Sequence, residues 1–237
     1  MIKAILFDMD GTLLPMDIDG FTQTYFKGIA EYMSSYGYEP KELIQGIWKG
    51  TEAMVKNDGK ESNEAVFWKV FSAILGKDTT KDIPLFTRFY IEKFDEIRSS
   101  CGYTNKAPQI IELLRKKNIK LVLATNPIFP MIAQKKRLVW AGIDATAFSW
   151  MTSYENSHYC KPNLKYYEEI LEHINCLPNE CLMIGNDVGE DMVAKELGMQ
   201  VFLLTDCLIN KENLDISIFP HGDYEDLLRY LHQKNFL

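Results

Sequence analysis

The chain has 237 residues, of which 46% are hydrophobic and 25% charged, and its formal net charge is -7. This length and composition predict a globular protein with a full hydrophobic core, in one large domain or two small ones. The acidic balance leaves no basic surface for a nucleic-acid partner, and no segment approaches the ~18 apolar residues that a membrane-spanning helix needs.

The five cysteines are scattered along the chain and contain no Cys-x-x-Cys pair. An odd number without metal-ligand spacing favours reduced thiols over a disulfide framework or a zinc site. The first apolar run is short and ends at Asp8, so it does not resemble a signal peptide. We therefore expect a cytoplasmic protein without a membrane partner.

A short apolar run over residues 5–7 is followed by Asp8, Asp10, Gly11 and Thr12. Consecutive apolar residues predict a strand that is buried on both faces. Residues two apart on a strand point the same way, so Asp8 and Asp10 can direct both carboxylates into one site. Two carboxylates that close repel each other unless a cation or a proton separates them. Mg²⁺, which prefers oxygen ligands, satisfies that requirement.

The segment from Leu14 to about Gly102 has a helical pattern and no convincing strand. Four helices are predicted: one carrying Phe21, Tyr25, Ile29, Met33 and Tyr36, one beginning at Pro40, one capped by Ser62 and ending at Gly76, and one from about Ile83 to Arg98. The inward face of the third is expected to carry Ala65, Val66, Phe71, Ile74 and Leu75. Asp17 is expected to cap the first helix.

The same segment is rich in aromatic residues, most of which we expect to pack against one another in a small helical unit. They are Tyr25, Tyr32, Trp48, Phe67, Trp68, Phe71, Phe89 and Tyr90.

After residue 102, predicted helices alternate with predicted strands. The helices cover 107–118, 131–141, 163–174, 190–197 and 224–231, and the strands cover 119–124, 147–150, 181–184 and 201–204. This alternation predicts βαβ units and a parallel sheet covered on both sides, with ligands at the carboxyl ends of the strands. The basic clusters at 115–117 and 135–137 are expected to be solvated helix faces.

Three further polar groups stand beside these predicted strands and helices. Thr125 and Asn126 follow a strand, where a hydroxyl and an amide can bind an oxyanion. Lys161 precedes a helix and can supply a fixed positive charge. Asp187 and Asp191 follow a strand and stand four residues apart, so a loop turning into a helix can bring both towards one cation.

These four groups, in this order, resemble the four motifs of the haloacid dehalogenase superfamily of hydrolases, in the phosphatase-type branch with a helical C1 cap. The resemblance implies a Rossmann-like parallel-sheet core formed by residues 1–14 and 103–237, with the cap at 15–102. It implies that Asp8 is the nucleophile and Asp10 the general acid/base. It also implies that Thr125, Asn126, Lys161 and Gly11 contact the phosphoryl group.

The resemblance further implies a Mg²⁺ site formed by Asp8, Asp10 through its backbone carbonyl, Asp187 and Asp191, with the second acid of the last motif binding a water or the lysine. Family members commonly have Gly-Asp where this chain has Gly185-Asn186, so Asn186 is an alternative to Asp187. We favour Asp187, because a carboxylate is the better partner for Mg²⁺.

The expected function is Mg²⁺-dependent hydrolysis of a small phosphorylated metabolite through an aspartyl-phosphate. Asp10 disfavours dehalogenation, since dehalogenases of the family work without an acid there. A phosphomutase of the β-phosphoglucomutase type and a non-catalytic binding protein remain alternatives. Candidate substrate contacts are Leu14, Met16, Trp48, Lys49, Lys56 and Lys60, and the pattern leaves the specific ester and the oligomeric state open.

Overall fold

A computed structural model describes residues 2–237 of the protein. Its centre is a six-stranded parallel sheet of order β3-β2-β1-β4-β5-β6. The strands are β1 (Ala4–Phe7), β2 (Lys120–Leu123), β3 (Trp150–Met151), β4 (Cys181–Gly185), β5 (Gln200–Leu204) and β6 (His221–Gly222). The predicted α/β fold with a parallel sheet is therefore confirmed.

The central strand β1 is buried on both faces, as its consecutive apolar residues predict. Ile5 and Phe7 enter one hydrophobic core, and Ala4 and Leu6 enter the other. The neighbours of β1 are β2 and β4, so the carboxyl ends of three buried strands lie side by side. Polar residues that follow these strands are consequently brought to one edge of the sheet.

In the described chain, eight α-helices surround or extend the sheet. They are α1 (Ile18–Ser34), α2 (Pro40–Val55), α3 (Asn63–Leu75), α4 (Ile83–Glu92), α5 (Lys106–Arg115), α6 (Met131–Trp140), α7 (Leu164–Ile174) and α8 (Tyr224–Gln233). The first four, with a 3₁₀ segment at Phe94–Ser100, form what we call the helical insertion, residues 18–100. Its two ends meet at an antiparallel bridge between Met16 and Cys101. No helix within residues 2–237 is both long and apolar enough to cross a bilayer.

Local sequence signals explain where the helices of the insertion begin and end. The Asp17 carboxylate accepts a hydrogen bond from Gly20 N at 3.2 Å, and the Ser62 hydroxyl accepts one from Ala65 N at 3.2 Å. Pro40 occupies the first turn of α2, where a missing N–H has no cost. Gly76 ends α3 in the left-handed conformation. The predicted caps of α1 and α3 are thus confirmed.

The predicted inward face of α3 was partly wrong. Ala65 is exposed, and Ile74 is 42% exposed, whereas Phe67 and Trp68 are buried. The helix is rotated because its large aromatic rings bury more apolar surface than its aliphatic residues would.

Three elements outside the insertion also depart from prediction. The strand expected at 147–150 is displaced: residues 145–147 form a 3₁₀ turn and β3 begins at Trp150. The helix expected at 190–197 is a 3₁₀ segment, Met192–Leu197. The two-residue strand β6 was not predicted, because two residues are too few to show a period.

Candidate active site

Polar side chains from three neighbouring strand ends line one cavity of about 260 Å³. Asp8 follows β1, Thr125 lies two residues after β2, and Asp187 lies two residues after β4. Asp10, Asn126, Asn186, Glu190 and Asp191 also line this end of the cavity. The residues predicted from the sequence therefore lie together, except that Gly11 and Lys161 do not reach the cavity wall.

Lys161 lies behind Asp8 and connects two carboxylates. Its Nζ donates to Asp8 Oδ1 at 2.8 Å and to Asp191 Oδ1 at 2.7 Å, and the lysine is 1% exposed. Burial alone would lower the pKa of Lys161, but the Asp191 and Asp8 carboxylates raise it well above its ordinary value. The ammonium is therefore a permanent positive charge beside Asp8.

The loop after β4 uses most of its own polar groups. Asp191 Oδ2 accepts a hydrogen bond from Asp187 N at 3.0 Å, so both oxygens of Asp191 are engaged. The Asn186 amide is also engaged, because it accepts from Thr12 Oγ1 at 2.9 Å and donates to the Cys207 carbonyl at 2.6 Å. Burial raises the pKa of Asp191.

Asp187 differs from these neighbours because only one of its oxygens is used. Asp187 Oδ1 accepts from the backbone N–H groups of Gly189 at 2.8 Å and Glu190 at 2.9 Å. Its Oδ2 has no hydrogen-bond partner within residues 2–237, and the side chain lines the cavity. Asp187 thus keeps one side-chain oxygen available to a ligand, whereas the side-chain oxygen of Asn186 is already engaged.

Gly11 shapes the turn after β1. Its φ is +83°, and a Cβ added there would lie 2.3 Å from Asn186 Nδ2. The Gly11 N–H donates to the Leu14 carbonyl at 2.8 Å, so it is used within the turn. Glycine permits the close approach of the first and last polar loops, while its N–H is not directed to the cavity.

Asp10 is bound by Arg137, a residue that the sequence analysis placed on a solvated face. Arg137 is 0% exposed, and its guanidinium donates to Asp10 Oδ2 and to the Gln134 side-chain carbonyl. The guanidinium also lies over the Phe129 ring, 4.7 Å from its centroid. The prediction failed because Lys135 is exposed while Arg137, two residues later, belongs to the inner face of α6.

Helical spacing was the signal that could have identified Arg137. Ala133, Gln134, Arg137 and Leu138 recur at three- and four-residue intervals, and all four are buried. A buried arginine requires an acidic partner, and Asp10 is that partner here. Burial raises the pKa of Asp10, Arg137 opposes the shift, and the Asp8 carboxylate adds to it.

The unpaired oxygen atoms at this end of the cavity fit a hard cation. Asp8 Oδ2 and Asp187 Oδ2 have no protein partner in the described chain, and Asp10 Oδ1 and Asn126 Oδ1 are buried without one. The carboxylates of Asp10 and Asp191 are engaged by Arg137 and Lys161, which leaves the backbone carbonyl of Asp10 as its expected contact with the cation. Residues 2–237 contain no group of three or more His, Cys, Asp or Glu side chains arranged to hold a metal by themselves.

The opposite end of the cavity is formed mainly by the helical insertion and is aromatic. Five of the eight aromatic residues expected mostly to pack line this end: Tyr25, Trp48, Phe67, Trp68 and Tyr90. Of the six proposed substrate contacts, only Trp48 lines the cavity. Leu14 and Met16 are buried elsewhere, while Lys49 and Lys56 pair with Glu52, and Lys60 pairs with Asp58.

Comparison with known proteins gives the same family as the motifs. Residues 2–198 match the model of the haloacid dehalogenase-like hydrolases. The chain is 26% identical to the glyceraldehyde 3-phosphate phosphatase of Methanothermobacter thermautotrophicus over 227 residues, which is 92% of this chain and 95% of that protein.

Two solved structures share the fold at low sequence identity. The HAD phosphatase from Thermococcus onnurineus has a TM-score of 0.59 and 18% identity, covering 97% of this chain and 98% of that one. The 2-haloacid dehalogenase from Pseudomonas syringae pv. Tomato has a TM-score of 0.63 and 16% identity, covering 99% of this chain and 100% of that one. The chain belongs to the haloacid dehalogenase-like hydrolase family.

Proposed function

We propose that this hydrolase cleaves small phosphate monoesters, with Asp8 as the nucleophile. The observation that carries the proposal is the convergence of Asp8, Asp10 and Thr125 on one cavity, with the Lys161 ammonium behind Asp8. The structural neighbours include both a phosphatase and a dehalogenase, so the fold alone leaves the activity open. The carboxyl group of Asp10 favours the phosphatase, because a leaving alkoxide needs a proton.

In this proposal Asp8 attacks phosphorus through Oδ2, the oxygen that Lys161 does not occupy. The Asp8–phosphorus bond forms as the bond to the leaving oxygen breaks, which gives an aspartyl-phosphate. Asp10 donates its proton to the leaving oxygen and later accepts one from the hydrolytic water. Thr125 and Asn126 donate hydrogen bonds to the phosphoryl oxygens.

Arg137 has a positioning role in this scheme. It binds Asp10 through Oδ2 and leaves Oδ1, which has no partner within residues 2–237, for the proton transfer. Burial raises the pKa of Asp10, which favours uptake of the proton that this carboxyl group passes to the leaving oxygen.

Asp187 through its free Oδ2, Asp8 through the carboxylate oxygen that does not attack phosphorus, and the backbone carbonyl of Asp10 would hold Mg²⁺. When bound, the cation would neutralise the charge between the carboxylates and the phosphate. Asp191 is better suited to fix Lys161 than to bind the metal, because both its oxygens are already engaged. The helical insertion would act as a cap that excludes bulk water from the reacting atoms. Five free cysteines favour the reducing conditions of the cytoplasm.

The test is phosphate release from p-nitrophenyl phosphate and a panel of small esters, with Mg²⁺, with EDTA and with Asp8→Asn protein. We expect release that requires both the cation and Asp8. Asp58→Asn is the control, since this aspartate is exposed and pairs with Lys60 at the surface. Isomerisation of a phosphosugar without net phosphate release would indicate the mutase instead. No turnover of any ester by folded protein would indicate a binding protein.

A further inference from the structure

The end of the cavity formed by the helical insertion is uncharged, and this limits which phosphate esters can bind there. The helical insertion contributes aromatic, aliphatic and threonine side chains to the lining, and none of these carries a charge. All of the charged lining residues in the described chain lie at the sheet end, and Lys211 is the single cation among them. The leaving group of a bound ester would therefore extend into a neutral environment.

The aromatic rings are fixed by one another, so the cavity is already formed without ligand. Phe26 and Trp48 have ring centroids 5.1 Å apart, and Phe67 and Trp68 have centroids 5.1 Å apart at an interplanar angle of 90°. Tyr25 packs edge-on against Phe129 at 5.3 Å. Because these rings hold one another in place, a planar ligand can pack against the parts of them that line the cavity at little cost in side-chain entropy.

Among the hydroxyls that the helical insertion contributes to this end, those of Thr22 and Thr51 have no hydrogen-bond partner within residues 2–237, whereas the others are engaged. The hydroxyls of Tyr25 and Tyr90 bond each other at 2.9 Å, and the Thr87 hydroxyl donates to the Ile83 carbonyl at 3.0 Å. Two free threonine hydroxyls are too few to pair with the several hydroxyls of a sugar, and a buried hydroxyl without a partner is unfavourable.

One buried donor at this end does lack a partner. Trp68 Nε1 is buried beside the Tyr154 hydroxyl but makes no hydrogen bond of normal geometry within residues 2–237. A ligand acceptor placed beside Trp68 would complete its hydrogen bonding.

We propose that the substrate is a phosphate monoester whose leaving group is an uncharged, planar aromatic or heteroaromatic ring, bound among the aromatic residues of the helical insertion. This inference rests on the proposed phosphatase function and specifies its substrate class. Esters with a carboxylate or a second phosphate on the leaving group are disfavoured, because residues 18–100 place no cation on the cavity wall to pair with that charge. The volume of about 260 Å³ fits one small ring system beside the phosphate.

The decisive panel compares esters of similar primary alcohols, so that intrinsic reactivity is matched. It contains benzyl phosphate, cyclohexylmethyl phosphate, 4-carboxybenzyl phosphate and phosphoglycolate. We expect kcat/KM for benzyl phosphate to be about 10-fold above the cyclohexyl ester, which is not planar. It should be on the order of 100-fold above both carboxylated esters. Equal or faster cleavage of either carboxylated ester would overturn the inference.

A designed cation provides a second, independent test. Thr51 lines the cavity on α2, so Thr51→Lys should raise the kcat/KM ratio of 4-carboxybenzyl to benzyl phosphate by about 10-fold or more. Ala73→Lys is the matched control, because Ala73 is exposed on α3 and does not line the cavity. An unchanged ratio in folded Thr51→Lys protein would contradict the proposed location of the leaving group.

Binding of phosphonates that cannot be hydrolysed tests the aromatic site separately from the phosphatase activity. Benzylphosphonate and methylphosphonate, which are not hydrolysed, would be titrated while tryptophan fluorescence is followed. Tighter binding of benzylphosphonate with no turnover of any ester would retain the aromatic site and refute the phosphatase. Turnover of the esters with equal binding of the two phosphonates would refute the aromatic site alone.

Discussion

The buried pair between Arg137 and Asp10 predicts a stability effect that depends on pH. Arg137→Met removes the hydrogen bonds to Asp10 and Gln134 while keeping an apolar side chain beside Phe129. Asp10 Oδ1 already lacks a partner among the described residues, so the variant leaves the whole carboxylate unpaired. Breaking a buried ion pair in this way lowers the free energy of unfolding by about 3–5 kcal/mol when the remaining charge stays ionised.

Protonation of Asp10 limits that cost at low pH. Without Arg137, the pKa of Asp10 in the folded state rises further above the unfolded value of about 3.9. The folded variant therefore binds the Asp10 proton more tightly than the unfolded chain does. Its stability falls as the pH rises from the pKa of Asp10 in the unfolded chain to the pKa of Asp10 in the folded state. Near the lower end of this range the cost that remains is mainly the loss of the Gln134 partner, about 1–3 kcal/mol. The destabilisation should therefore be about 2 kcal/mol larger at pH 8 than at pH 5.

The assay is urea unfolding followed by circular dichroism in EDTA at both pH values. A double-mutant cycle with Asp10→Asn isolates the interaction, because an asparagine side chain at that position cannot titrate. We expect a coupling energy that is larger at pH 8 than at pH 5. A destabilisation by Arg137→Met that is the same at both pH values, or below about 1 kcal/mol at pH 8, would refute the buried ion pair.

Single contacts elsewhere in the molecule can be tested in the same way. Gly11→Ala should lower the free energy of unfolding by at least about 1–3 kcal/mol in urea titration, because a Cβ there would lie 2.3 Å from Asn186 in a left-handed backbone conformation. Thr125→Val should lower kcat for p-nitrophenyl phosphate about 10²–10³-fold with an unchanged melting temperature, while Thr125→Ser keeps most of the activity. Phe71→Ala should lower the free energy of unfolding by about 3–5 kcal/mol, since this ring is fully buried; a loss below about 1 kcal/mol would contradict that packing.

The sequence was most informative where a residue's role depends on its immediate neighbours. The apolar run before Asp8 marks a strand with both faces covered, and the order of the chain then places Asp8, Thr125 and Asp187 at adjacent strand ends. Gly76 and Ser62 mark helix boundaries because their chemistry acts within one turn. Such signals do not depend on the packing of distant elements.

Features that depend on distant contacts could not be read in the same way. Arg137 looks like a surface residue beside Lys135 and Lys136 until α6 is packed near the turn that carries Asp10. The partner of the Asp10 carboxylate, Arg137, lies 127 residues away in sequence, and that of Asp191, Lys161, lies 30 residues away, so neither pairing could be read from local sequence. Similarly, aromatic residues at helical spacing indicate burial without distinguishing a core from a cavity wall.

The most direct test of the proposed mechanism is to look for a phosphoryl group on Asp8. Asp10→Asn protein would be mixed with p-nitrophenyl phosphate and Mg²⁺, then quenched in acid for peptide mass spectrometry. The good leaving group needs no acid in the first step, while loss of the base at Asp10 slows hydrolysis of the intermediate. We expect a burst of nitrophenol and one phosphoryl group on the peptide containing Asp8. Turnover with no phosphorylated peptide, or phosphorylation at another residue, would contradict the assignment of Asp8 as the nucleophile.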